Sequence, residues 1–300
     1  MYHPIFDQKM ARYLKDQGYN FPPKIIVQFS GGKDSTAMLH RIIAWGFPID
    51  ALLFFDTGWE FPAMYDHLKL VEQKTGLIIT TLHPRHPFSE LIKKYRWPDA
   101  RRRWCTAEKR DAGTKWINQN YNKKTDYVVQ CLGFALDELD RTDTKEQIKK
   151  GLVMYPLIND FCMNPEAARH MIAGLRNLDD PTDGLTPLSE TDALQYCYSL
   201  GYTWDGLYDN FDRVSCYCCP LKRKRDLRLL MEQYPELWEA ALNMERTIPK
   251  SENYVTFRGN ESLCEIDSRL SKTGEQLGII KPMAQMEMFV GMEATRKHTN

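Results

Sequence analysis

The chain has no excess of charge of either sign: 40 lysines and arginines stand against 40 aspartates and glutamates in 300 residues. That balance argues against bulk electrostatic binding to nucleic acid, so any basic contact has to come from a local cluster. Also missing is an apolar run approaching the roughly 18 residues of a membrane helix. The opening Met1-Tyr-His-Pro-Ile-Phe-Asp7 lacks the basic-then-apolar pattern of a secretory leader, and no membrane contact is expected. These absences predict a cytoplasmic protein, and in that compartment the eight cysteines read as thiols, metal ligands or catalysts rather than a disulfide framework. There is no internal repeat and no low-complexity tract. With 43% hydrophobic residues the protein is able to bury a sizeable core, in one large domain or two unequal ones.

What is present is organised around one stretch, residues 24–36. Ile25, Ile26, Val27 and Phe29 form a short, nearly continuous apolar run, as expected of a parallel strand covered on both faces. It breaks into Ser30-Gly-Gly-Lys-Asp-Ser-Thr36. Gly31 and Gly32 carry no Cβ to keep a ligand off the main chain, so successive N–H groups can form a nest for a phosphate-type anion. Asp34, Ser35 and Thr36 suit a helix start, with short oxygens able to cap free N–H groups, and Lys33 adds a full positive charge. The spacing is not that of a Walker A loop, Gly-x-x-x-x-Gly-Lys-Ser/Thr.

The arrangement recurs. Residues 51–55 read as a second buried strand ending at Asp56, Thr57 and Gly58, followed by a helix opening at Phe61-Pro62 and stopped by Gly76. Residues 77–82 and 127–132 read as third and fourth strands, the latter ending at Gly133. This alternation predicts a doubly wound parallel α/β sheet with right-handed crossovers, whose strand ends line the ligand crevice. We place the nucleotide-binding domain at 1–160 and an insertion or linker at 161–188. A mainly helical C-terminal region, 189–300, carries the later cysteines. Ser189 with Asp192 three residues on predicts a capped helix there.

The loop resembles the PP-loop of the ATP pyrophosphatase superfamily. Phe55-Asp-Thr-Gly-Trp-Glu-Phe-Pro62 resembles the second motif of its phosphoadenosine phosphosulfate (PAPS) reductase branch. Gly133, Glu138 and Arg141 resemble a later block of that branch, although Ala135 stands where the block usually has arginine. The resemblance implies an adenine nucleotide alpha hydrolase-like fold and a site for ATP, adenylyl sulfate or PAPS. Its implied nucleotide-binding residues are Ser30, Gly31, Gly32, Lys33, Asp34, Ser35, Thr36, Asp56, Thr57, Gly58, Gly133 and Arg141. Lys33, Asp34 and Asp56 are the expected catalytic residues, with Mg²⁺ held near Asp34 or Asp56.

The cysteines form a second centre. Cys216 and Cys219 have Cys-x-x-Cys spacing, which lets two sulfurs reach one metal or one cluster face. Cys105, four residues before Lys109, resembles the family segment that completes such a pair in several branches. Cys105, Cys216 and Cys219 are therefore expected ligands of a 4Fe-4S cluster or of zinc, with Cys218 or Cys197 as the fourth. Cys131, inside an apolar strand, is expected to be a structural thiol. The basic runs within 93–103 and 222–225 offer a rim for a nucleic acid or a sulfur-donor protein.

Three functions fit these motifs. The leading one is ATP-dependent adenylation, releasing AMP and pyrophosphate and coupled to sulfur transfer. The second is reduction of a sulfonucleotide, against which counts the lack of a tail cysteine: the last is Cys264, whereas family reductases carry theirs in a Glu-Cys-Gly-Leu-His segment near the C-terminus. The third is a non-catalytic nucleotide-binding accessory protein.

Overall fold

A computed structural model describes residues 8–141, 152–158, 186–214, 216–249 and 257–276. Its contacts group the protein into two compact units. The first comprises residues up to Phe88 and from Cys105 to Tyr217, the second Ser89–Trp104 and everything from Cys218 onward.

The first unit is built on five parallel strands, β1 (Lys24–Phe29), β2 (Ala51–Phe55), β3 (Ile79–Leu82), β4 (Val128–Cys131) and β5 (Leu152–Met154), in the order β3-β2-β1-β4-β5. This is the doubly wound α/β sheet that the alternating pattern predicts. Ile25, Ile26 and Val27 are fully buried and all five residues of β2 are buried, because helices cover both faces of the central strands. The polypeptide adds β2 and β3 on one side of β1 and then returns to place β4 on the other. The order therefore reverses between β1 and β4, and the crevice outside their carboxyl ends is where such sheets take ligands. The glycine loop and Gly133 lie at those two ends.

The first unit's helices are α1 (Gln8–Asp16), α2 (Lys33–Ala44), α3 (Pro62–Thr75) and, but for its first residue, α5 (Trp104–Asn120), whereas α4 (Phe88–Tyr95) belongs to the second unit from Ser89 onward. Helix α3 has the start and stop read from the sequence: proline in its first turn, and Gly76 at φ +69° returning its N–H to the Glu72 carbonyl. Helix α6 (Glu190–Ser199) opens with the predicted capping box, Ser189 and Asp192 each bonding the other's main-chain N–H, and it packs along α2. A left-handed turn, Trp204–Gly206, leads into the single-turn α7 (Leu207–Asn210).

The second unit is helical, with α8 (Lys224–Gln233), α9 (Pro235–Arg246) and α10 (Leu263–Gln276). Its interior is tied by one buried carboxylate. Glu245 accepts from the Trp97 indole N–H at 3.1 Å and from the main-chain N–H groups of Leu263 and Cys264 at 2.7 and 2.8 Å, capping α10. Residues 161–185 of the expected insertion and the side chain of Arg141 lie outside the described residues. Among the described residues no helix is long and apolar enough to cross a membrane.

Candidate nucleotide site

The loop between β1 and α2 folds much as an anion nest requires, with one difference from the sequence expectation. Helix α2 begins at Lys33, and its N-cap is Gly32, which has no side chain with which to cap it. Ser35 Oγ instead turns back, donating to the Gly32 carbonyl at 3.0 Å and accepting from the Ser30 N–H at 3.2 Å. Thr36 Oγ1 turns inward to His67 Nε2 at 3.0 Å. These hydroxyls brace the loop, because both are buried under it. The main-chain N–H groups of Gly31, Gly32, Asp34 and Ser35 have no hydrogen-bond partner among the described residues. Gly31 sits at φ +76°, and a Cβ there would lie 2.5 Å from Met64 Sδ, so glycine is required for both conformation and space.

Lys33 is 6% exposed, and its ammonium lies 2.6 Å from Glu190 Oε2 and 3.3 Å from Asp34 Oδ2. Burial raises the Asp34 carboxyl to about 6, the Lys33 charge opposing and Glu190 adding to the rise. Asp34 Oδ1 is buried and accepts no hydrogen bond from the described residues. An oxygen of that kind fits a divalent cation, hard and oxygen-seeking, which when bound would neutralise phosphate charge.

Three contributors to the loop were not read from the sequence. Glu190 pairs with Lys33, Tyr208 Oη accepts the Lys33 main-chain N–H at 2.8 Å, and the Trp204 indole donates to the Gly31 carbonyl at 2.7 Å. All lie more than 150 residues beyond the loop. Only the capping box beside Glu190 signalled a defined position there. Cys197, an expected candidate fourth ligand, is buried with its Sγ 3.3 Å from the Lys33 carbonyl, and burial pushes its thiol up to about 12.

The second motif closes on itself at the end of β2. Asp56 Oδ1 accepts from the Gly58 N–H at 2.8 Å and from the Tyr65 hydroxyl at 2.9 Å. Thr57 Oγ1 donates to Glu60 at 2.8 Å and accepts from the Trp59 N–H at 3.0 Å. Gly133, at the end of β4, has a packing role that the sequence does not reveal: a Cβ there would lie 3.1 Å from the carbonyl carbon and oxygen of Asp34 and from Ser35 Cα. Backbone cannot move aside as a side-chain tip does. Gly133→Ala is therefore expected to cost about 1–2 kcal/mol by overpacking and to push the start of α2 out of register with the loop. Urea unfolding and pyrophosphate titration of the variant check both effects, and unchanged affinity would show that the loop does not depend on this contact.

The thiols are distributed between the units. Cys105, in the first turn of α5, and Cys216, 3.5 Å from Thr57 Oγ1, belong to the first unit, and Cys218 and Cys219 to the second. Among the described residues no group of three or more His, Cys, Asp or Glu side chains gathers as a metal site. Cys131 is buried in β4 and burial raises its thiol well above the ordinary value, as a structural cysteine requires. Both basic runs fall in the second unit, where Lys93, Lys94, Arg101, Arg102, Arg103 and Lys224 are exposed.

A model of the phosphoadenosine phosphosulfate reductase domain matches residues 24–222. Two uncharacterized proteins of Methanocaldococcus jannaschii are similar to this protein. MJ0066 is 26% identical over 250 residues, covering 83% of the sequence described here and 47% of its own, and MJ0973 is 24% identical over 239 residues, covering 77% and 49%. The matched region thus spans about half the length of these curated relatives. A crystal structure described as a predicted subunit of a tRNA methyltransferase, also from M. jannaschii, aligns with 61% of this protein and 91% of that one, at 15% identity and a TM-score of 0.30.

Proposed function

This chain belongs to the phosphoadenosine phosphosulfate reductase domain family, a membership that implies adenine nucleotide binding, and from it we propose an ATP-dependent adenylating enzyme that prepares an acceptor for sulfur transfer. The observation that carries the reading is the loop at the β1–β4 reversal, where four main-chain N–H groups and a buried carboxylate oxygen without a hydrogen-bond partner among the described residues stand beside a buried lysine. Such a set suits the β- and γ-phosphates and an associated Mg²⁺. In the proposed step an acceptor oxygen attacks the α-phosphorus, the bond to the β-phosphate oxygen breaks, pyrophosphate leaves with the electron pair and the acceptor's proton passes to solvent. Lys33 and the N–H groups stabilise charge on the leaving pyrophosphate. Asp34 would hold Mg²⁺ there, and Asp56, its Oδ1 already fixed by Gly58 and Tyr65, would orient the nucleotide from the neighbouring strand end.

Iron or zinc ligation by Cys105, Cys216, Cys218 and Cys219 belongs to the same proposal through their motif alone, and no step above depends on it. The exposed cations of the second unit suit an anionic acceptor such as nucleic acid, with a sulfur-donor protein as the competing partner. Sulfonucleotide reduction gains little from Cys264, whose thiol is raised by burial and by its hydrogen bond with Glu245 and so is a poor nucleophile.

Protein purified without oxygen and incubated with Mg²⁺ and, separately, ATP, adenylyl sulfate and PAPS tests the reading, with iron, sulfide and zinc assayed on the same sample. The expected result is stabilisation by ATP, with pyrophosphate formed once an acceptor is supplied and AMP once a sulfur nucleophile displaces it from the adenylated acceptor. Preference for a sulfonucleotide with release of sulfite would overturn it.

A further inference from the structure

The loop is not held by its own residues alone. Trp204, Asp205 and Gly206 occupy three successive left-handed conformations, at φ +49°, +51° and +74°. Two of these are non-glycine residues, and such geometry costs on the order of 1–2 kcal/mol per residue unless the surroundings over-determine it. Here they do. The Trp204 ring is buried and stacked on His67, with centroids 4.4 Å apart and planes at 25°, and it meets Tyr208 edge-on at 4.9 Å. Its indole N–H donates to the Gly31 carbonyl at 2.7 Å.

That bond fixes a direction as well as a distance. In a trans peptide the carbonyl and the following N–H point opposite ways. Holding the Gly31 carbonyl toward the buried indole therefore aims the Gly32 N–H away from it, outward, where it has no partner among the described residues. Tyr208 acts on the next peptide in the opposite sense. Its hydroxyl accepts the Lys33 N–H at 2.8 Å, which turns that donor inward and removes it from the nest.

We infer that Trp204 is a positioning residue for the phosphate loop, setting from outside the loop which main-chain donors face the anion, while Tyr208 sets which one does not. The inference rests on the nucleotide reading above and deepens it. It assigns a role in anion binding to the segment after α6.

Tyr208→Phe deletes one hydrogen bond to the loop and keeps its ring, whereas Trp204→Phe removes the indole N–H together with part of a buried ring, so Trp204→Phe should lower the melting temperature of the ligand-free protein more. Calorimetric titration separates them. Trp204→Phe should weaken pyrophosphate and ATP by the same factor, about tenfold for one lost orienting hydrogen bond, whereas Tyr208→Phe releases the Lys33 N–H rather than misaiming a donor, so it should not weaken pyrophosphate and should let pyrophosphate shift the Lys33 amide resonance. In the wild-type protein, pyrophosphate should shift the amide resonance of Gly32 and leave that of Lys33 in place, a readout that needs no variant to fold. Equal loss of affinity in both variants, wild-type affinity in Trp204→Phe, or an unmoved Gly32 amide would overturn the inference while wild-type binding stands. Wild-type protein that binds neither ATP nor pyrophosphate would overturn the nucleotide reading, and the inference with it.

Discussion

Replacing Lys33 with methionine is expected to abolish binding of pyrophosphate and to lower stability at pH 7 by about 3 kcal/mol, the scale of a buried ion pair deprived of one partner. The ammonium is buried between two carboxylates, at 2.6 Å from Glu190 and 3.3 Å from Asp34. Methionine fills nearly the same volume, so the loss reports charge rather than a cavity. Two neighbours identify the cause. Asp34 is already raised to about 6, against the pull of Lys33, and without that pull it rises further. A carboxyl whose folded pKa lies above its unfolded value gives its full stabilising effect at low pH and loses it as pH rises through the folded pKa. The gap between variant and wild type should therefore narrow as pH falls from 8 to 5. Adding Glu190→Gln should recover part of the loss at pH 7, because the second uncompensated charge is then gone. Urea unfolding of the single and double variants checks this. A Lys33→Met protein as stable as wild type at pH 8 would mean that the pair contributes nothing.

The sheet and the loop were legible because each element announces itself locally. The apolar runs at 25–29 and 51–55, the proline at the start of α3 and Gly76 beyond its end act through neighbours a few residues away. β5 was missed since three residues carry no period, and its pairing with β4 supplies what the sequence lacks. The site was legible only in its first layer. Gly31, Gly32 and Lys33 reveal an anion loop by type and spacing, but Ser35 and Thr36, read as caps, turn inward as braces. Gly133 looks like any strand-end glycine until the Asp34 backbone is placed against it. Glu190, Trp204 and Tyr208 belong to ordinary-looking helical sequence. Their meaning comes from the return of α6 along α2, a contact across more than 150 residues that no local pattern encodes.

That return also buries two groups whose titrations oppose each other. His67 is packed among Thr36, Phe29, Tyr202 and Trp204, and burial, with His40 nearby, lowers it to about 3. A base depressed in this way stabilises the fold above its unfolded pKa near 6.5, and that stability is lost as pH falls, by about 1.4 kcal/mol per pH unit. Asp34, raised to about 6 chiefly by burial, works the other way, adding stability as pH falls from 6 toward 4. Over that window the two contributions nearly cancel in the wild-type protein. Relative to wild type, His67→Gln should gain stability between pH 6 and pH 4 and Asp34→Asn should lose it, each by about 3 kcal/mol from two pH units, while the double variant should run parallel to wild type. Denaturant titrations at pH 6, 5 and 4 read the slopes directly. Single variants that track wild type across the window would show that neither group titrates as its burial requires, whereas opposite slopes would place both side chains in the dry layer between the phosphate loop and the Trp204 turn.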